Sequence, residues 1–295
     1  MTPRQDAHRA VVDLAATAAR HPGRAAERKR AAVPRTSPRS GPSPAARAAA
    51  ARAAGAAGAL VLLLAAAGCG SAEQAGRAPE QTAARPAPSG PAADRVGALF
   101  VADTGGARVC TASVVHSPDR NLLITAAHCA APDGVPLDGL VFAPGYRDGL
   151  APHGTWPVTA VTVAPAWEDG QDEDADVAFL AVGPLDGRQV EDEVGSGAFA
   201  AGLGTGREVT VTGYPNADDA PITCRARTSP YGATQQRFDC AGFTNGTSGS
   251  PWTTDAGQVI GVIGGYQAGG ASPDTSYSVA FDAHVADLYR RAASG

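Results

Sequence analysis

The sequence predicts an all-β domain, either a barrel or a sandwich, that ends in one helix. Two observations support this prediction. From Asp94 onward, short β-branched or apolar runs recur, and Pro, Gly, Asn or Asp occurs in nearly every gap between them. In addition, no helical pattern separates successive runs, as it would in a parallel α/β sheet.

Nine runs are predicted to be strands because they combine β-branched or apolar residues with flanking turn residues. In chain order they are Gly97–Ala102, Thr111–His116, Leu122–Ala126, Leu140–Phe142, Val158–Val163, Val177–Val182, Glu208–Gly213, Val259–Ile263 and Tyr277–Ala280.

The closing segment, Phe281–Ala292, is the helical exception. Phe281, Val285, Leu288 and Tyr289 fall on one face at a period of 3.6 residues. Two arginines lie near its C-terminal end, where the helix dipole favours positive charge.

The chain has two parts of opposite charge. The first 69 residues hold 11 Arg and Lys against 3 Asp and Glu, whereas the rest holds 13 against 26. The acidic second part argues against a nucleic-acid partner, because binding phosphates requires a basic face.

The basic part ends in a short apolar run, residues 53–69, that is typical of a secretory signal and too short and alanine-rich to span a membrane. Its end, "LAAAGC", resembles a bacterial lipoprotein box, which would make Cys69 the lipidated N-terminus. The box departs from the usual pattern at Ala66. Ordinary cleavage after Ala67 and an uncleaved anchor are the alternatives.

The cysteine count supports export. Five is an odd number, but setting Cys69 aside as the lipid site leaves four cysteines, an even set suited to two disulfides in an oxidising compartment. Their spacing does not fit a zinc site, so no metal is expected.

Residues 70–93 are expected to form a disordered linker, because Gly70–Pro91 is rich in Ala, Pro, Ser, Gln and Glu. The domain would then cover residues 94–295.

Three short motifs carry the candidate chemistry. "LLITAAHC" ends an apolar strand with His128, "DVAFL" places Asp176 at the start of another strand, and "GFTNGTSGSP" puts Ser248 in a glycine turn. Asp, His and Ser can act as a relay in which serine attacks a carbonyl, histidine takes its proton and a buried aspartate orients the imidazole. Asp169, Asp172 and Asp174 are expected to lie in a solvated loop, because only Asp176 adjoins a buried strand.

"TAAHC", "DVAFL" and "GTSGSP", in that order, resemble the signatures of chymotrypsin-like serine proteases, and the order His, Asp, Ser separates them from subtilisins and α/β-hydrolases. The "SGSP" ending and the export signal resemble the glutamyl-endopeptidase branch most. The resemblance implies two six-stranded antiparallel barrels and a secreted or surface-anchored monomeric endopeptidase that acts on peptides or proteins without a cofactor.

The same resemblance assigns roles to individual residues. It makes His128 the general base, Asp176 the orienting carboxylate and Ser248 the nucleophile. The backbone N–H groups of Gly246 and Ser248 would form the oxyanion hole.

The resemblance also implies a disulfide between Cys110 and Cys129 beside the histidine. Cys224 would then pair with Cys240, although four cysteines allow other pairings.

At two positions this sequence lacks the charged or ionisable residues that set substrate preference in related enzymes. Gly242 stands where tryptic members carry an aspartate, and Ile263 stands near the position where glutamyl endopeptidases carry a histidine. We therefore expect a preference for uncharged side chains, with Phe243 and Tyr266 as candidate pocket residues.

Thr247 stands where trypsin-type zymogens carry the aspartate that pairs with a newly freed ammonium. The sequence thus predicts an enzyme that is active once folded.

Two alternatives to a serine endopeptidase stay open. They are an inactive protease-like binding module and a non-enzymatic surface lipoprotein.

Overall fold

The computed structural model describes residues 82–295, and short antiparallel strands dominate this part of the chain. The strands are β1 (Arg85–Pro86), β2 (Val96–Val101), β3 (Arg108–Val115), β4 (Leu122–Thr125), β5 (Leu140–Pro144), β6 (Trp156–Thr162), β7 (Ala178–Val182), β8 (Ala198–Phe199), β9 (Glu208–Gly213), β10 (Ile222–Arg227), β11 (Ser229–Tyr231), β12 (Gln235–Asp239), β13 (Pro251–Thr254), β14 (Gln258–Val262) and β15 (Thr275–Val279). The all-β prediction is confirmed.

The helices are short except for the last. They are α1 (Pro91–Asp94), α2 (Ala127–Ala130), α3 (Pro165–Gly170), α4 (Val190–Val194) and α5 (Ala283–Ala292). Three 3₁₀ turns cover Pro132–Gly134, Glu173–Ala175 and Tyr266–Gly269. No helix among residues 82–295 is long and apolar enough to cross a membrane.

The first half of the domain is a closed barrel of six strands in the order β2-β3-β4-β7-β6-β5. It closes because β2 pairs with β3 on one side and with β5 on the other. A six-stranded barrel has room only for its own side chains. Its interior holds Leu99, Leu123, Phe142, Trp156 and Leu180, none more than 1 % exposed.

The second half consists of two sheets around one core. Six strands follow the order β1-β10-β9-β13-β14-β8, and β11, β12 and β15 form a separate three-stranded sheet. Val211, Phe238 and Trp252 pack between them. The Cys224–Cys240 disulfide joins β10 to the end of β12. The predicted fold class is confirmed, but only the first half forms a closed six-stranded barrel, and the strands of the second half are divided between two sheets.

Six of the strands, β1, β8 and β10 to β13, were not predicted from the sequence. Most of them lack a continuous apolar run. In β10, for example, Cys224 is buried whereas Arg225 and Arg227 are exposed. Such a strand forms because its backbone pairs with a neighbour, which leaves a weak signal in the sequence.

Helix α5 begins two residues after the predicted start. The Asp282 side chain caps it by accepting hydrogen bonds from the N–H groups of His284 and Val285. Val285 and Leu288 are buried against residues of both halves, including Phe179 on β7 and Val259 on β14. The helix therefore covers the junction between the two halves.

The domain starts earlier than the predicted boundary at Asp94. Arg85 and Pro86 pair with Thr223 and Ile222 at the edge of the six-stranded sheet. The predicted disordered linker is therefore wrong for residues 82–93, because backbone pairing at a sheet edge requires no apolar side chains. The remaining linker residues and the export segment with Cys69 lie outside the described residues.

Candidate active site

His128 lies on the short helix α2, directly after the buried strand β4. Its neighbour Cys129 forms a disulfide with Cys110 on β3, with 5.9 Å between the Cα atoms. The bridge ties this helix to the barrel wall, so the position of His128 is fixed by a covalent bond one residue away. The His128 side chain is 22 % exposed.

Asp176 holds His128 by two hydrogen bonds. Its Oδ1 accepts from the backbone N–H of His128 at 2.9 Å, and its Oδ2 lies 2.8 Å from the imidazole Nδ1. Because a carboxylate can only accept, Nδ1 must carry the proton and Nε2 is left as the acceptor nitrogen.

A third hydrogen bond reaches Asp176 from the second half of the domain, where the N–H of Gly265 donates to Oδ2 at 2.8 Å. The neighbouring Gly264 approaches the carboxylate closely, since a Cβ there would lie 3.0 Å from Oδ2. The Asp176 side chain is 1 % exposed, whereas Asp169, Asp172 and Asp174 are exposed as expected.

The two charges shift each other's pKa. Burial lowers the pKa of His128, but the charge of Asp176 and its hydrogen bond outweigh burial and leave the pKa above its ordinary value. Burial raises the pKa of Asp176, but the charge of His128 and the hydrogen bonds from His128 and Gly265 outweigh it and lower the pKa. Asp176 therefore stays ionised at neutral pH, and the imidazolium is stabilised relative to an isolated histidine.

Ser248 lies in a tight turn anchored on both sides. Its carbonyl accepts from the N–H of Thr111 on β3 at 2.8 Å, and the N–H of Gly249 donates to Ile263 O at 2.7 Å. Gly249 has φ +81°, and a Cβ there would overlap Thr125 Oγ1 and Thr111 O. This close approach packs the turn against the strand that leads to His128. No hydrogen bond joins Ser248 to His128 within the described residues.

The N–H groups of Gly246 and Ser248 donate to no acceptor within residues 82–295. Their directions are nevertheless fixed, because each shares a planar peptide unit with a carbonyl that is itself held. Asn245 O accepts from the N–H of Asn216 at 2.7 Å. Thr247 O accepts from both the N–H and the Oγ of Ser250, at 3.0 and 2.6 Å.

Thr247 is 2 % exposed, and its hydroxyl donates to Thr244 O at 2.7 Å. The residue therefore satisfies its polar group locally, and the turn contains no buried carboxylate that would need an ammonium partner.

Ser248 lines a cleft of about 510 Å³. None of the lining residues carries a charged side chain; they are Asn216, Ala217, Phe243, Thr244, Asn245, Thr247, Ser248, Ile263, Ala268, Gly269, Gly270, Ala271, Ser272, Pro273 and Ser276. Of the predicted pocket residues, Phe243 contributes to this lining. Tyr266 does not; its ring packs against those of Tyr231 and Tyr277, with centroids 4.9 and 5.1 Å away.

One group of potential metal ligands adjoins the site. The ligand atoms of Cys110, His128 and Cys129 lie within 4.8 Å of one another. Both sulfurs are bonded in the disulfide, so they offer no thiolate to a metal ion.

Thr111 and Asn216 are the positioning residues that sequence reasoning missed. Thr111 is fully buried, and its hydroxyl donates to Gly246 O at 3.0 Å while accepting from the N–H of Tyr214 at 2.9 Å. Both residues act on Gly246 across more than 25 residues of sequence, so no local pattern could have identified them.

Comparisons with known proteins agree with this geometry. The trypsin-like peptidase domain family matches residues 110–262, more than half of the chain. No curated protein matches by sequence.

Many solved structures share the fold, among them three proteases. The protease Anisep from Arthrobacter nicotinovorans is 25 % identical, with a TM-score of 0.60 over 68 % of this chain and 96 % of its own. The thermostable serine protease AL20, from an extremophilic microorganism, is 24 % identical, with a TM-score of 0.61 over 70 % and 99 %. A Glu endopeptidase is 17 % identical, with a TM-score of 0.61 over 72 % and 98 %. On the family match, this chain belongs to the trypsin-like peptidases.

Proposed function

We propose that the chain is a serine endopeptidase in which Ser248 is the nucleophile, His128 the general base and Asp176 the residue that orients the base. The observation that carries this proposal is the Asp176 carboxylate, which holds both the imidazole Nδ1 and the backbone N–H of His128. Such an arrangement leaves Nε2 as the proton acceptor for Ser248, whose turn packs against the strand that leads to His128.

The reaction proceeds through an acyl-enzyme. Ser248 Oγ attacks the peptide carbonyl carbon while His128 Nε2 takes the hydroxyl proton. The tetrahedral intermediate collapses, the C–N bond breaks, and His128 gives the proton to the leaving amine. Water then attacks the ester, His128 accepts its proton and returns it to Ser248 Oγ, and the acid product leaves. Asp176 remains ionised throughout and stabilises the transient imidazolium.

The N–H groups of Gly246 and Ser248 are the donors to the developing oxyanion. Losing one such donor typically lowers kcat by about 10²–10³-fold. Their peptide units are held by Asn216 and Ser250, neither of which depends on a new N-terminus. The chain therefore needs no activating cut, because burying an ammonium beside the neutral Thr247 would be unfavourable.

The first prediction concerns the nucleophile. Untreated wild-type protein should hydrolyse casein and bind one equivalent of a fluorophosphonate probe, while Ser248→Ala and His128→Ala should lower kcat on the order of 10⁶-fold. Ser294→Ala, at an exposed C-terminal serine, is the control that should retain activity. A folded wild-type protein that neither reacts nor hydrolyses would instead favour an inactive binding module. Activity that appears only after protease treatment would contradict the proposal that the oxyanion hole forms without an activating cut.

The cleft further supports a preference for substrates with uncharged side chains. All of its lining side chains are neutral, and Phe243 and Ile263 are only 5 % and 4 % exposed. A charged side chain entering this cleft would lose hydration without gaining a partner.

A peptide-library digest checks this preference. Cleavage should follow uncharged residues, with Ser248→Ala protein as the blank. Dominant cleavage after Arg, Lys or Glu would refute the assignment.

We also propose that the enzyme works outside the cell, attached through a lipid on Cys69. The two disulfides are typical of oxidising compartments, and the sequence before Cys69 resembles a lipoprotein box. Stable attachment requires more than one acyl chain, which lipoprotein processing would supply.

Cell fractionation tests this location. Cys69→Ser should move activity from the membrane fraction into the medium. Cys69→Ala should do the same, because neither variant can carry the thioether-linked lipid. An unchanged distribution in both variants would exclude the lipid anchor.

A further inference from the structure

Residues 82–87 precede the first barrel and run along the second half of the domain; we call them the N-terminal arm. We infer that this arm positions the walls of the substrate cleft, so that its attachment controls how well substrate binds. The inference rests on the proposed function and assigns a role to a segment that contributes no side chain to the cleft.

The arm first attaches at Ala241, seven residues before Ser248. The N–H of Ala84 donates to Ala241 O at 2.7 Å, and the N–H of Ala241 donates to Thr82 O at 2.8 Å. This is a parallel bridge centred on Ala83 and Ala241. The backbone of Ala241 thus has both of its hydrogen-bonding groups engaged by the arm.

The residues on either side of Ala241 donate their N–H groups to a third backbone segment, residues 273–274, and not to the arm. The N–H of Cys240 donates to Asp274 O at 3.0 Å, and the N–H of Gly242 donates to Pro273 O at 2.9 Å. Residues 240–242 therefore form the middle of three backbone segments, with the arm on one side. Phe243 follows this middle segment, and Phe243 and Pro273 both line the cleft.

The packing at Gly242 adds to this connection. Its φ is +112°, and a Cβ placed there would lie 3.2 Å from the Ala84 methyl group. The arm thus rests directly on the backbone that leads into the cleft wall.

The arm also pairs with strand β10, where Arg85 lies opposite Thr223 and Pro86 opposite Ile222. The N–H of Ala87 donates to Pro221 O at 2.9 Å, and Ala87 is 4 % exposed. Pro221 ends the loop that contains the cleft residues Asn216 and Ala217. Arg108 holds the same loop by donating to Pro215 O and Asp218 O at 2.6 Å each.

One short segment thus ties together two walls of the cleft. Ala84 holds the wall that begins at Phe243, and Ala87 holds the loop that carries Asn216. An edge segment fixed by a few hydrogen bonds can detach without global unfolding. Detachment should loosen the cleft while leaving the Asp176–His128 pair intact, since no arm residue bonds to either.

Proline substitutions in the full chain test the inference. Ala84→Pro removes the N–H that bonds to Ala241, whereas Ala83→Pro is a matched control because the Ala83 N–H donates no hydrogen bond within residues 82–295. Ala87→Pro is the second variant and removes the bond to Pro221.

We expect Ala84→Pro to raise KM about tenfold for a peptide substrate with a large uncharged side chain, with kcat within about twofold. A tenfold change equals about 1.4 kcal/mol, which lies in the range for one lost hydrogen bond. Labelling by a small fluorophosphonate should keep its rate, and Ala83→Pro should match wild type.

Amide hydrogen exchange on the same variants reports whether the arm holds the cleft walls, and this measurement does not depend on activity. Exchange at Gly242 should accelerate in Ala84→Pro, and exchange in residues 216–221 should accelerate in Ala87→Pro, with neither change in Ala83→Pro. Three results would each overturn the inference. They are faster exchange in Ala84→Pro without a change in KM, the same changes in the Ala83→Pro control, and no faster exchange in Ala84→Pro or Ala87→Pro. An inactive wild type that shows the exchange pattern would refute the proposed function and leave the coupling between arm and walls supported.

Discussion

The buried carboxylate of Asp176 is the interaction on which the arrangement of the site depends. It accepts hydrogen bonds from the ring and the backbone of His128 in the first barrel, and from the N–H of Gly265 in the second half. An unpaired buried carboxylate would be costly, so three donors have to converge on it. The fold meets this requirement by pairing β4 with β7 in the first barrel and by bringing the segment after β14 to Asp176, which lies just before β7.

A second constraint comes from strand β3, where two adjacent residues position two different parts of the site. Cys110 bonds to Cys129 beside the histidine, and Thr111 bonds to the carbonyls of Gly246 and Ser248 in the turn. The spacing between the proposed base and nucleophile is therefore set by one strand. The turn itself is held by neutral contacts, which is why Thr247 can stand in place of a charged residue.

The sequence predicted the parts of the site that have local signatures. His128, Asp176 and Ser248 each end or begin a recognisable run, and both disulfides and the burial of Asp176 among exposed acidic neighbours agree with expectation. The contributions of Thr111, Asn216 and Gly265 could not be predicted, because they act through backbone groups far away in sequence. The arm was mistaken for a disordered linker for the same reason: its small residues and prolines attach by backbone hydrogen bonds alone.

Asp176 raises the proton affinity of His128, which must be neutral to act as the base in the proposed reaction. The most direct test compares the ring ¹⁵N titration of His128, in Ser248→Ala protein, with the pH dependence of wild-type kcat/KM. We expect kcat/KM to rise as His128 loses its proton, with both midpoints above the ordinary pKa of histidine. Asp176→Asn should lower the titration midpoint because it removes the charge that stabilises the imidazolium. A kcat/KM midpoint that differs from the titration midpoint of His128, or a titration that Asp176→Asn leaves unchanged, would contradict this role of Asp176.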